Sequence, residues 1–365
     1  PAKVQAFNRE LGVMSGLLVV VLTPVIRTLA VRSHVIDMPG KPRKVHARAT
    51  PLLGGIAIFL GLMVAHWYGA LKTPYLIDNS IRFNHLLGFS LGGLILTIGG
   101  YLDDRYNLSP AWQIIFPTIA ALIVVGSGIG VRFVTNPFGG TFSLVQWERV
   151  LFWWQGIGYR ITLPADAFTF VWLMVLMYTT KLLDGLDGLV SGITIIGAFM
   201  IFLLATTTAF FQPEVGMLAI LIAGAFAGFL FWNWHPAKIF LGEGGSTFAG
   251  FSLGILAIIS GGKIATALLV LGIPIFDLLW VLSRRLIWEK RSPMRADRKH
   301  LHFRLLDAGW SHRAVVLFYL GCAALFGVTT IFLQSRDKLI ALGLLALCLT
   351  GLAVWVTGKN IHKSL

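Results

Sequence analysis

Charge is what this 365-residue chain has least of: Asp, Glu, Lys and Arg make up 13% of it, against 56% hydrophobic residues. A soluble domain is nearer one quarter charged, about 25%, so a water-soluble globule is excluded. The acidic side is the poorer, with 16 carboxylates against 30 Lys and Arg. Cysteine is almost absent. Cys322 and Cys348 both lie inside apolar runs, which leaves no disulfide or cysteine zinc framework and reads them as small core residues. Strands of alternating polarity in ~10-residue pieces, the mark of a membrane β-barrel, are missing. So are internal repeats and any stretch polar enough for a soluble domain. No cleavable signal pattern stands out, and the first apolar stretch is expected to act as the insertion signal.

What the chain does have is apolar length. Its mean hydropathy is +0.78, and stretches near the ~20 residues that cross a bilayer recur throughout. We read about eleven spans, over 11–31, 52–71, 86–102, 111–130, 165–183, 188–210, 215–232, 247–261, 264–283, 314–334 and 338–357. Gly261-Gly262 and Ser335-Arg336-Asp337 are expected to be the tightest turns. The fold class is therefore all-α, one polytopic membrane domain over 1–365. The region 131–164 holds Asn136-Pro137 and Gly139-Gly140 beside short β-branched and aromatic pieces, the pattern of a small hairpin.

A net charge of +14 would suggest nucleic acid in a soluble protein. In a membrane protein the same excess follows from basic cytoplasmic loops, and no nucleic-acid partner is expected. Assigning loops 32–51, 103–110, 181–187, 233–246 and 284–313 and the C-terminal tail to one side gathers about two thirds of the Lys and Arg there. That side is expected to be cytoplasmic and the N-terminus outside. A basic inner face suits anionic lipid and phosphorylated substrates.

The few acids gather on that same side. Asp103 and Asp104 end the third span, Asp184 and Asp187 sit in a Asp-Gly-Leu-Asp-Gly run, and Glu243 precedes two glycines and Ser246. A single acid at a helix end can simply be solvated. Three clusters on one face, next to hydrocarbon where carboxylates are costly, point to function. Neighbouring carboxylates suit Mg²⁺, which takes oxygen ligands and shares them with substrate phosphates, and they raise one another's proton affinity, so one can serve as a base. The glycines at 242–245 are expected to open a helix start to an anion, although small residues also serve helix packing in membranes.

Two basic segments complete the face. Arg43, Lys44 and His46 precede Pro51-Leu-Leu-Gly-Gly55, and Arg298, His300, His302 and Arg304 surround Leu301 and Phe303. Positive-inside topology explains most such residues. The two histidines offer too few ligands for a zinc site on their own, and hydrogen bonding to sugar or phosphate is the preferred reading.

In their order and spacing, these motifs resemble the polyprenyl-phosphate N-acetylhexosamine-1-phosphate transferase family, from Asp37 through Ser311. The resemblance takes in the bacterial enzymes that start O-antigen and wall teichoic acid synthesis and the related phospho-MurNAc-pentapeptide translocase. It implies a multi-helix protein of the bacterial plasma membrane with its active site in a cytoplasmic cleft, a UDP-sugar donor, undecaprenyl phosphate as acceptor, and Mg²⁺, with Mn²⁺ as a substitute. By resemblance, Asp103 and Asp104 serve the lipid phosphate as base or metal organiser, and Asp184 and Asp187 form the second acid motif. Leu186, Asp187, Asn233 and Phe240 frame uracil, Glu243 with Asp104 holds the metal, and Ser246 lies at the phosphate-facing helix start. Arg43, Lys44, His46, His300 and His302 match the branch that uses UDP-GlcNAc, with Arg298 and Arg304 adding positive charge.

Three positions depart from the family pattern: Glu243 replaces Asp, Lys181 replaces an Asn, and Phe303 replaces a frequent His. The preferred reading of the first two is a divergent lineage with an ordinary Mg²⁺ site; the alternative links them, with Lys181 either reaching the diphosphate or pairing with Glu243. The rival readings are transfer of phospho-MurNAc-pentapeptide, a secondary transporter and an inactive scaffold. A transporter calls for mid-membrane acids and repeat symmetry, which the chain lacks. Apolar outer faces permit a homodimer without requiring one.

Overall fold

The computed structural model describes residues 2–40, 48–72, 81–136, 140–154, 157–261, 264–290, 300–333 and 335–362. Its helices are α1 (Ala2–Arg32), α2 (Gly54–Lys72), α3 (Phe83–Tyr106), α4 (Pro110–Gly126), α5 (Leu163–Leu183), α6 (Leu189–Thr206) and α7 (Pro213–Asn233). They continue with α8 (Gly242–Ile259), α9 (Ile264–Val270), α10 (Gly272–Ser283), α11 (Leu301–Asp307), α12 (His312–Phe332) and α13 (Ser335–His362). The protein is an all-α polytopic membrane protein. Among the described residues eight helices are long and apolar enough to cross a bilayer, or nine if a bent pair counts as one span.

Two of the eleven expected stretches are altered by local features. The stretch 264–283 is broken: Ile264–Val270 and Gly272–Ile287 meet at 80°. The stretch 111–130 becomes the 17-residue α4, which opens on Pro110 and carries Pro117 inside it. At the other end, Ser335, Arg336 and Asp337 are not a turn but the first residues of α13, where an acid in the first turn suits the positive end of the helix dipole.

Burial identifies α8 as the central post. Every residue from Gly242 to Ile258 except Glu243 is buried, and α2, α3, α5, α6 and α7 pack around it. Without a hydrophobic drive between helices in lipid, close backbone approach has to hold such a bundle, and glycine permits it. On the periphery α1 crosses α7 in this way: a Cβ on Gly16 would lie 2.9 Å from the Gly224 carbonyl oxygen.

The expected hairpin region holds two. Phe133–Thr135 and Thr141–Ser143 pair antiparallel, as do Glu148–Trp154 and Ile157–Thr162. At the opposite end of the bundle, Ile36–Asp37 pairs with Thr50–Pro51, and that ladder continues into the segment before α8: Phe240 N–H donates to the Pro51 carbonyl at 2.9 Å, while Gly54 and Gly55 N–H donate to the carbonyls of Phe240 and Leu241 at 3.0 and 2.8 Å. Pro51-Leu-Leu-Gly-Gly55 is thus a brace for the start of α8.

Candidate active site

The last turn of α3 meets the first turn of α8. Gly100 and Gly244 approach so closely that a Cβ on Gly100 would overlap the Gly244 backbone, and Gly55 stands in the same relation to Gly245. This contact sets Asp104 against Gly242, whose φ of +72° suits glycine. The Asp104 carboxylate accepts the Glu243 N–H, at 3.2 and 3.3 Å to its two oxygens. Two expectations change here. The glycines are there for packing, and a carboxylate of the protein itself already takes the second N–H of the helix, that of Glu243. Ser246 is 2% exposed and donates its hydroxyl back to the carbonyls of Gly242 and Glu243, so it is turned away from any phosphate.

A polar chain runs outward from this junction. Asp103 Oδ1 accepts from Leu108 N–H at 2.8 Å and from Gln113 Nε2 at 3.1 Å. Gln113 Oε1 accepts from Lys181 Nζ at 2.9 Å, and Lys181 forms an ion pair with Glu243 Oε1. Of the two readings of these positions, the pairing of Lys181 with Glu243, the less favoured one, is present as a direct contact. Gln113 was not anticipated; it lies in α4, one turn past the Pro110 start, and nothing in the local sequence marks it.

Asp184 caps the end of α5. Its side chain is accessible but ringed by protein on its other sides. Desolvation, then the carboxylates of Glu243 and Asp187, push its carboxyl up to about 8.

The 184–188 loop is braced by side chains. Asn233 is 4% exposed; its Oδ1 accepts from Gly188 N–H at 3.0 Å and Ser191 Oγ at 3.3 Å, and its Nδ2 donates to the Ile239 carbonyl at 3.0 Å. Its amide thus shapes the loop rather than facing a ligand, which corrects the expectation of a direct uracil contact. Leu186 is 3% exposed, and Phe240 is half-buried. Asp187 Oδ2 lies 2.7 Å from His235 Nδ1 and accepts from Ala237 N–H at 3.1 Å.

His312, at the start of α12, stacks on His235 with ring centroids 3.9 Å apart, and Arg313 donates to the His235 carbonyl at 3.0 Å. None of His235, His312 and Arg313 was anticipated. The available signal was a Ser311 N-cap, whose side chain accepts from Ala314 N–H, opening a helix with two basic residues. Asp187, His235 and His312 bring their ligand atoms within 4.8 Å of one another, a second place where a cation could be held.

The histidine motif of α11 lies beneath the loop instead of lining it. His300 Nδ1 is 2.8 Å from Asp277 Oδ2, on the far side of the bend between α9 and α10. His302 is fully buried, and a Cβ on Gly185 would lie 2.8 Å from its Nε2 and 2.9 Å from Phe303 Cζ. His302 therefore packs under the Asp184–Asp187 loop and His300 is tied to Asp277, which corrects the reading of direct sugar or phosphate contact. Arg304 is half-buried in the same helix. Arg43, Lys44, His46 and Arg298 lie outside the described residues.

Asp103, Asp104, Asp184, Asp187, Lys181 and Glu243 thus meet at one end of the bundle. The acids near Glu243 are oxygen donors of the class that Mg²⁺ takes, but Glu243 is held by the Lys181 ammonium, and among the described residues the group of three whose ligand atoms come within 4.8 Å of one another is Asp187, His235 and His312.

Comparison with known proteins agrees with this assembly. Residues 86–261 match the family model described as glycosyl transferase family 4. A probable undecaprenyl-phosphate N-acetylglucosaminyl 1-phosphate transferase of Bacillus subtilis is 30% identical over 337 residues, covering 90% of this chain and 86% of the relative. A decaprenyl-phosphate N-acetylglucosaminephosphotransferase of Mycolicibacterium smegmatis is 30% identical over 361 residues, covering 91% of this chain and 84% of the relative. A phospho-N-acetylmuramoyl-pentapeptide-transferase of Desulforamulus reducens is 31% identical over 327 residues, covering 83% and 88%. With this similarity running through the carboxylate-bearing ends of α3, α5 and α8, the chain belongs to glycosyl transferase family 4.

Proposed function

We propose that the chain transfers N-acetylglucosamine 1-phosphate from UDP-GlcNAc to undecaprenyl phosphate and releases UMP, as a first membrane step of cell-envelope polysaccharide synthesis. The observation that carries this reading is the convergence of Asp103, Asp104, Asp184 and Glu243 at one end of an apolar bundle. A soluble nucleotide sugar and a lipid phosphate can meet there while the lipid chain stays in the bilayer. The names of the relatives point the same way.

In this reading an oxygen of the lipid phosphate attacks the β-phosphorus of the donor. The bond from that phosphorus to the bridging oxygen breaks, and UMP leaves with that oxygen. Both partners are anions, so the site has to hold them in line and offset their charge. Asp103, steadied by Leu108 and Gln113 through one oxygen, serves the lipid phosphate and takes its proton. Asp187, fixed by His235 and Ala237, serves the nucleotide with Leu186 and Phe240. Lys181, with Arg43, Lys44, Arg298 and Arg304, supplies positive charge around the phosphates. Mg²⁺ or Mn²⁺, held by Glu243 and Asp104, would neutralise diphosphate oxygens and stabilise the leaving nucleotide.

The excess of Lys and Arg on the loops of this end supports a cytoplasmic site in the plasma membrane and an external N-terminus. The test is transfer of radiolabelled GlcNAc 1-phosphate from UDP-GlcNAc to undecaprenyl phosphate by the purified chain, with UDP-GalNAc and UDP-MurNAc-pentapeptide as comparison donors. Labelled lipid with matching UMP release is expected for UDP-GlcNAc, and no turnover with any of the three donors overturns the reading.

A further inference from the structure

We propose that Lys181 is a built-in counter-cation for the carboxylate cluster, and that a divalent ion reaches Glu243 only by displacing its ammonium. This rests on the transferase reading for what the charge acts on, but not for the contacts. Lys181 is not a loose surface lysine. It stands in the last turn of α5 with a side chain only 16% exposed. Its Nζ pairs with Glu243, donates to Gln113 at 2.9 Å and lies 5.5 Å from the Tyr178 ring centroid. An ammonium has three hydrogens. Two go to Glu243 and Gln113, which leaves one for a further acceptor, such as a diphosphate oxygen.

The geometry opposes simultaneous occupancy. Mg²⁺ sits about 2.0–2.1 Å from its oxygen ligands, and a charge-assisted N–H···O contact spans about 2.7–2.9 Å. A divalent ion on the same Glu243 carboxylate would therefore lie within a few ångströms of the ammonium, where like charges in a poorly hydrated site repel strongly. Displacing Lys181 also removes the donor to Gln113 Oε1, on the same amide whose Nε2 holds Asp103 Oδ1 at 3.1 Å. Occupancy of Glu243 is in this way communicated to the carboxylate on the lipid side.

The test is direct titration of Mn²⁺ into the full-length protein in detergent, read by electron paramagnetic resonance of the free ion. It needs no turnover, so its failure and that of the transfer assay are separate results. The variants are Lys181→Asn, Lys181→Met and Lys181→Arg, with Glu243→Gln marking the site. Binding lost in Glu243→Gln, and tightened about tenfold or more in Lys181→Asn and Lys181→Met but not in Lys181→Arg, is expected. The two neutral replacements differ in shape, so misfolding of one leaves the other to decide. Mn²⁺ affinity within twofold of the parent protein in the folded neutral variants, or weaker, overturns the proposal, as does unchanged binding in Glu243→Gln.

Discussion

The two acid pairs of this site are held in different ways. Asp103 and Asp104 ride on a helix end locked to its neighbour by backbone contact, through Gly100 against Gly244 and Asp104 on the Glu243 N–H. Asp184 and Asp187 ride on a loop whose shape comes from side chains that other helices supply: Asn233 from α7, His235 just beyond it, His312 and Arg313 from α12, and His302 and Phe303 from α11. The first arrangement has almost no freedom to adjust, because backbone cannot rotate aside. The second spreads its support over several groups, each of which can be lost with partial compensation. Damage at the α3–α8 junction should therefore act on turnover, and damage around the loop on donor affinity.

The largest effect should follow from removing charge at the junction. Asp104→Asn keeps the size of the side chain and an acceptor for the Glu243 N–H, yet loses the carboxylate. Turnover is expected to fall about 10³-fold, in the range of a charged group acting at the reacting phosphates, with the thermal midpoint of the purified protein little changed. A loss under tenfold would remove Asp104 from the chemistry. Gly100→Val comes next. Its Cβ overlaps the Gly244 backbone, and overpacking a tight contact costs about 1–3 kcal/mol or more. The expected outcome is a lowered thermal midpoint with transfer lost in step. A normal midpoint would show that the helices can part.

Much of this was legible beforehand, and the reason lies in what each feature depends on. Apolar length marks the helices because the bilayer sets it. The acids declared themselves because carboxylates are rare here and costly beside lipid. The pairing of Lys181 with Glu243 was open as an alternative because both break one pattern together, although an ordinary metal site was preferred. What the sequence concealed are contacts between distant segments. Nothing near Gln113 signals that it bridges Lys181 to Asp103, and nothing in Asp277 signals His300 across a bent helix. The glycines at 242–245 were open to two readings, an anion cradle or close packing, and only the approach of Gly55 and Gly100 decides for packing. The histidine motif was read as bonding sugar or phosphate, whereas His300 is 4% and His302 0% exposed.

On the loop side, Asn233→Ala removes the acceptor of Gly188 N–H and Ser191 Oγ and the donor to Ile239. Leaving buried polar groups unpaired costs about 1–3 kcal/mol. KM for the UDP-sugar is expected to rise roughly tenfold, more than kcat falls, because the loop proposed to receive the nucleotide loses its shape. A kcat loss at unchanged KM would mean that this loop acts on the reacting phosphates themselves. His312→Phe should do less: the ring that stacks on His235 is kept and only its nitrogens go, so a rise in KM of about threefold is expected, measured by the same donor titration.

The smallest effect is the one that separates the two readings of the α8 start. Ser246 stands one turn past Glu243, where a phosphate-binding serine would be sought. In the structure its hydroxyl bonds the Gly242 carbonyl at 3.1 Å and the Glu243 carbonyl at 3.2 Å, and such back-bonding inside a helix adds little stability. Ser246→Ala is therefore expected to leave transfer within about twofold of the parent rate and the thermal midpoint nearly unmoved. A loss of tenfold or more, with the fold intact, would require the hydroxyl to turn toward the substrate during the reaction. The α3–α8 junction would then be as adjustable as the loop, and the contrast between the two acid pairs would fail at the place where it is drawn most sharply.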